Sequence, residues 1–211
     1  MYRNTFLSVM FLACCFNGSL CAQSDAQIYE RTCDAKTYPF SDPSPVATPN
    51  NSYYPYFRFD GFSMQAQEKQ WKMVVLENDY VKLTVTPEIG GKIWGAIDKV
   101  NNKEFVYTNG VVKFRDVAMR GPWTSGGIEF NFGIIGHAPT CSTPIDYLTK
   151  KNVDGSVSCH IFSYEWITRT VWNVEINLPK DKAYFTTHTT WFNQSSIDLS
   201  LIHISEPTRL R

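Results

Sequence analysis

The sequence predicts an all-β domain, an antiparallel β-sandwich, and three observations carry that prediction. Aromatic residues make up 15% of the 211-residue chain, and aromatic side chains favour strands and build apolar sheet faces. Apolar and polar residues alternate with a period of two over several windows, while no window sustains the 3.6-residue period of an amphipathic helix. Turn residues separate these windows at the short intervals expected of a sandwich or barrel. The length corresponds to about one domain.

The elements follow in order. Residues 53–59 (YYPYFRF) are aromatic, but Pro55 confines them to an edge strand or a packed extended arm. Residues 73–76 form a short apolar run, and Asn78-Asp79 makes a turn. Val81, Leu83 and Val85 alternate with Lys82, Thr84 and Thr86, as in a strand with one buried face. Pro87 stops it, and Gly90-Gly91 permits a tight turn or a close backbone approach. Residues 93–97 are the next strand; Asn101-Asn102 turns the chain and residues 104–107 return. The last third reads as a meander of strands at 156–166, 168–178 and 183–192. Thr170, Trp172, Val174 and Ile176 share one face of the second, and Phe185, Thr187, Thr189 and Trp191 one face of the third. Pro179-Lys180-Asp181 turns between them.

The two ends depart from this pattern. Residues 1–22 read as a secretory signal peptide: Arg3 supplies the positive start, residues 6–16 (FLSVMFLACCF) the apolar stretch, and Ala22 the last leader position. The stretch is well short of the roughly 20 apolar residues that span a bilayer. Export to the periplasm or the exterior is therefore expected, without a stable membrane span. Lipoprotein anchoring is the weaker alternative, since neither Cys14 nor Cys21 sits in a good lipobox. Residues 23–52, rich in Ser, Pro, Asp, Thr and Asn, read as an extended lead-in. Residues 199–209 (LSLIHISEPTR) resemble the translation of a sequencing-library adapter. Residues 199–211 are accordingly expected to be a non-native tail, and the domain is expected over residues 53–198 as the front part of a longer reading frame.

Charge and motifs remove several function classes. Lys plus Arg equals Asp plus Glu at 20 each, which disfavours a nucleic-acid partner. With 43% hydrophobic and 19% charged residues, the chain is not a disordered one. Outside the leader only Cys33, Cys141 and Cys159 remain, an odd number without CxxC or Cys/His metal spacing. Buried free thiols are the expected state. No GxGxxG, P-loop, GxSxG, HExxH or EF-hand loop is present, so no cofactor and no metal is implied.

Residues 119–147 (MRGPWTSGGIEFNFGIIGHAPTCSTPIDY) are the candidate site. They are dense in Gly, Pro and aromatics, and a loop of this length inside a β domain is uncommon unless functional. Glu129 and His137 are the candidate catalytic pair, because a carboxylate and an imidazole near one pocket can trade protons with a sugar hydroxyl or glycosidic oxygen. Ile128, Phe130 and Phe132 point one way and Glu129 and Asn131 the other. Arg120, Trp123, Asn131 and Asp146 are the candidate binding residues. The guanidinium fork suits several hydroxyls, the indole face stacks on a sugar ring, and Asp146 is a possible second carboxylate for a hydrolase mechanism.

Three blocks carry a resemblance: VVLENDYVKLTVTPEIGGKIWGAIDK (74–99), GPWTSGGIEFNFGIIGHAPT (121–140) and NVEINLPKDKAYFTTHTTWFN (173–193). Together they resemble the domain of unknown function 5107, within the galactose-mutarotase-like superfamily. The first block is typical of mutarotase-like domains generally; the Trp-Thr-Ser-Gly-Gly-Ile-Glu-Phe-Asn-Phe run is particular to this family. The resemblance implies the front part of a β-supersandwich that holds a carbohydrate on its concave face. It also implies a helical-repeat region downstream in the full-length protein. Mutarotase-like enzymes use a His acid and a late Glu base, and His137 is the candidate for the former. The expected function is a secreted carbohydrate-active domain, glycoside-hydrolase-like, with a non-catalytic carbohydrate-binding module as the alternative.

Overall fold

The computed structural model describes residues 24–41, 61–117, 121–132, 137–138, 140–166, 169–196 and 198. The expected leader at 1–22, the aromatic run at 53–59, Arg120 and the expected non-native tail at 199–211 lie outside the described residues. Among the described residues there are twelve strands: β1 (Gln27–Tyr38), β2 (Gln67–Glu77), β3 (Val81–Thr86), β4 (Lys92–Asp98), β5 (Lys103–Val106), β6 (Val112–Lys113), β7 (Arg115–Val117), β8 (Gly121–Trp123), β9 (Asp146–Lys151), β10 (Val157–Glu165), β11 (Thr170–Leu178) and β12 (Thr186–Asn193). A 3-10 turn at Pro87–Ile89 is the one helical element among the described residues. The all-β expectation holds.

The strands form a six-stranded sheet in the order β5-β4-β3-β2-β1-β6, a four-stranded sheet β12-β11-β10-β9, and the small pair β7-β8. Neighbours are antiparallel except β1 and β6. Alternation explains the faces. In β11 every second residue, from Thr170 through Trp172, Val174 and Ile176 to Leu178, is buried. The four apolar ones meet Val74, Leu76, Leu83, Val85 and Ile93 of the larger sheet in the main core. Each such aliphatic burial is worth about 1.5–3 kcal/mol. Trp71, Met73, Trp94, Val112 and Phe114 form a second apolar cluster with Ile89.

One expectation is corrected here. Within the lead-in expected at 23–52, Gln27–Tyr38 is β1, paired with β2 along most of its length and interior to the larger sheet, while residues 42–52 lie outside the described residues. Its outward side chains are polar and exposed, so the segment carries no run of alternating apolar residues. A second difference concerns residues 128–132, which form no strand; only Ile128 bridges, to Ile93.

Two glycine-bearing turns place the loop that follows β8. At Gly90 (φ 64°) a Cβ would come within 2.7 Å of the Cys141 backbone. The Gly90 N–H donates to the Thr143 carbonyl at 2.9 Å, and the Ile145 N–H to the Pro87 carbonyl at 3.0 Å. Gly127 (φ 69°) lies against β4, where a Cβ would overlap the Ile93 carbonyl oxygen. Ile93 and Ile128 then exchange two backbone hydrogen bonds, at 3.0 and 2.8 Å.

Replacing Gly127 by Ala should therefore lower the unfolding free energy by at least about 2 kcal/mol, from left-handed backbone strain plus overlap. Gly110 has open space around its Cα, and Gly110→Ala should stay within about 0.5 kcal/mol of the parent. Urea denaturation of both variants checks this; equal stabilities would contradict it.

Candidate functional site

The segment from β8 to Phe132 is held from several sides before any charged side chain is considered. The Gly127 N–H donates to the Tyr107 carbonyl at 2.8 Å. Asn109 Nδ2 donates to the Ser125 carbonyl at 2.8 Å, and Ser142 Oγ to the Pro122 carbonyl at 2.8 Å. With the Ile93–Ile128 bridge, these bonds fix where Trp123 and Glu129 project.

Glu129 and His137 come together, and Trp123 joins them. Trp123 Nε1–H donates to Glu129 Oε2 at 2.8 Å, and His137 Nδ1 lies 2.7 Å from Glu129 Oε1. The indole and imidazole rings meet edge-on, with centroids 6.0 Å apart at 63°. The Glu129 side chain is 13% exposed and that of His137 32%, so the carboxylate is sheltered while the imidazole reaches solvent. An ionised carboxylate only accepts hydrogen bonds. Against such a carboxylate the proton in the 2.7 Å contact belongs on Nδ1, and Nε2 is the imidazole's other end.

A buried lysine, absent from the sequence-based site, completes the arrangement. Lys92, at the start of β4, is 1% exposed. Its Nζ donates to the Thr124 carbonyl at 2.8 Å and to Thr124 Oγ1 at 3.1 Å. The ammonium is 5.9 Å from the ring centroids of both Trp94 and Trp123. The antiparallel bridge between Ile93 and Ile128 sets Lys92 across from Glu129. Burial pushes the Lys92 ammonium below its ordinary range, and the Glu129 carboxylate and the Cys141 thiol draw it back up. The available signal was a lysine inside an otherwise apolar strand, Lys-Ile-Trp-Gly-Ala-Ile.

The same segment builds one wall of an open cleft of about 270 Å³, lined by Glu129, Phe130, Asn131, Phe132, Trp172, Val174 and Thr189. Phe132 stacks on Trp172 at 5.7 Å and meets Trp191 edge-on at 5.2 Å. The Trp191 indole N–H beside it is buried without an acceptor among the described residues. Asn131 is exposed at the cleft. Asp146 is elsewhere. Ile145 and Tyr147 pack on the core, so Asp146 between them, opposite Phe162 in register, takes the other face of the sheet. The proposed pairing of Asp146 with Glu129 is therefore not made. Arg120 lies outside the described residues. Cys141 and Cys159 are buried and Cys33 is half-buried, and none of the three is in a disulfide. Among the described residues no group of three or more His, Cys, Asp or Glu side chains is placed to hold a metal ion, and no helix is long and apolar enough to cross a membrane.

The tautomer is testable. A Gln amide offers one acceptor where the carboxylate offers two. In Glu129→Gln the Trp123 bond should keep that acceptor, the amide N–H should face His137, and the imidazole proton should move from Nδ1 to Nε2. Nitrogen-15 NMR of the histidine ring reads this switch, and an unchanged tautomer would contradict the geometry.

Known proteins bear on the chain in two ways. A structural relative is a TPR-domain containing protein from Parabacteroides distasonis, 26% identical, with a TM-score of 0.72 over 80% of this chain. The chain spans 29% of that protein's length. The profile of the domain of unknown function DUF5107 matches residues 48–205, a span that takes in residues 199–205 of the expected non-native tail. The match covers well over half of the sequence, and the chain belongs to the DUF5107 family.

Proposed function

We propose that this is a carbohydrate-binding domain of an exported protein, with the Glu129–His137 pair as its polar centre and the cleft beside it as the seat of the sugar. The observation that carries this is the sheltered Glu129 carboxylate, held by Trp123 and His137, on a residue that also borders a cleft with three aromatic residues and two small polar ones. Sugar rings present apolar faces and hydroxyl edges, and such a lining meets both. The resemblance to galactose-mutarotase-like domains supports the ligand class, and the leader-like residues 1–22 support export. The structural relative is named for a TPR domain, which supports a setting beside helical repeats.

A second reading, acid–base action on the bound sugar, is favoured by one observation: the 2.7 Å contact that would orient His137 for proton transfer. A two-carboxylate hydrolase mechanism is not favoured, because Asp146 takes the opposite face.

Calorimetry against a panel of neutral oligosaccharides tests the proposal. Asn131→Ala and Glu129→Gln should each weaken binding about tenfold, near 1.4 kcal/mol, whereas Asp146→Asn should leave it unchanged. No binding across the panel, or equal losses in all three variants, would overturn it. Release of reducing sugar by the parent but not by Glu129→Gln would favour the acid–base reading.

A further inference from the structure

We propose that Lys92 is the positioning residue of this site, its buried ammonium being the counter-charge that keeps the Glu129 carboxylate aimed at Trp123 Nε1 and His137 Nδ1. The inference rests on reading Glu129 as the working carboxylate. Three independent features of the structure converge on it.

The first is register. Ile93 and Ile128 exchange both backbone hydrogen bonds. The residues one step beyond an antiparallel bridge face one another on the same side, at the separation of a cross-strand pair. Lys92 and Glu129 are those residues.

The second is the lysine's own bonding. Nζ donates to both the carbonyl and the hydroxyl of Thr124, the residue directly after Trp123. Lys92 therefore holds the chain at the base of the indole that bonds Glu129 Oε2. One side chain thus fixes the donor and sits across from the acceptor.

The third is burial. At 1% exposure between Trp94 and Trp123, the ammonium is shielded from bulk water, so a nearby negative charge acts on it strongly. The ionisable groups acting on it are Glu129 and, more weakly, Cys141; His137 stands behind Glu129.

Coupling between two sites is reciprocal, so the lysine itself reports on the carboxylate. The full chain, labelled with carbon-13 lysine, is titrated by NMR as the parent, as Glu129→Gln and as Asp146→Asn. The Lys92 Cε signal should titrate about one pH unit lower in Glu129→Gln, because the favourable charge is gone, and should not move in Asp146→Asn. In a second arm the Trp123 indole N–H is followed in Lys92→Met and Lys92→Arg. Its exchange with water should quicken at least about tenfold in the Met variant and recover in the Arg variant. Should Lys92→Met not fold, the Glu129→Gln arm, which leaves Lys92 in place, still decides. Failure of the parent to bind any sugar would overturn the proposed function and leave this coupling standing. A Lys92 signal that titrates identically in parent and Glu129→Gln, or an unaltered indole exchange in folded Lys92→Met, would overturn the positioning role whatever the chain binds.

Discussion

Everything particular to this site depends on one close backbone approach, that of Gly127 to Ile93. A side chain on residue 127 would overlap the Ile93 carbonyl, and the left-handed φ of 69° there favours glycine as well. With the approach made, Ile93 and Ile128 pair through two hydrogen bonds. An otherwise irregular segment is thereby fastened to an interior strand of the larger sheet. Its alternation then sorts side chains without further help. Ile128, Phe130 and Phe132 pack on the main core, while Glu129 goes to Trp123 and His137.

That fastening also changes what an ion pair is worth. On the surface Lys72 and Glu30 lie 3.9 Å apart with both side chains about half exposed, and such pairs contribute about 0–1 kcal/mol. Lys92 is covered by the same segment that brings Glu129 across from it. Removing an ammonium from water is expensive unless its donors and its charge are met. Thr124 meets two donors, and the Trp94 and Trp123 faces and the Glu129 carboxylate meet the charge. The sheltered polar group next to an aromatic cleft follows from burial of a backbone segment, and it is the feature from which a carbohydrate ligand is argued.

Most of the fold was legible because alternation reports burial directly. The faces of β3 and β11 and the turns at Asn78-Asp79 and Gly90-Gly91 follow from residue order. β1 was not legible: its side chains are mostly exposed, and pairing with β2 rather than an apolar stripe makes it a strand. Within the site, Glu129, Trp123 and His137 were legible as a local cluster in one Gly-rich stretch. The face taken by Asp146 was written in its apolar neighbours Ile145 and Tyr147. Lys92 was hidden, since a lysine in a strand ordinarily marks the solvent side, and what covers it comes from residues about thirty positions later in the chain.

The central claim is that the Ile93–Ile128 bridge is a permanent part of the sheet and not a passing contact of a loop. Native-state hydrogen exchange of the two amides tests this most directly. The account predicts that the Ile128 N–H exchanges as slowly as the Ile93 N–H and the β11 amides, at the rate set by global unfolding. Exchange of Ile128 at the rate of an open loop, with β4 and β11 still protected, would contradict it.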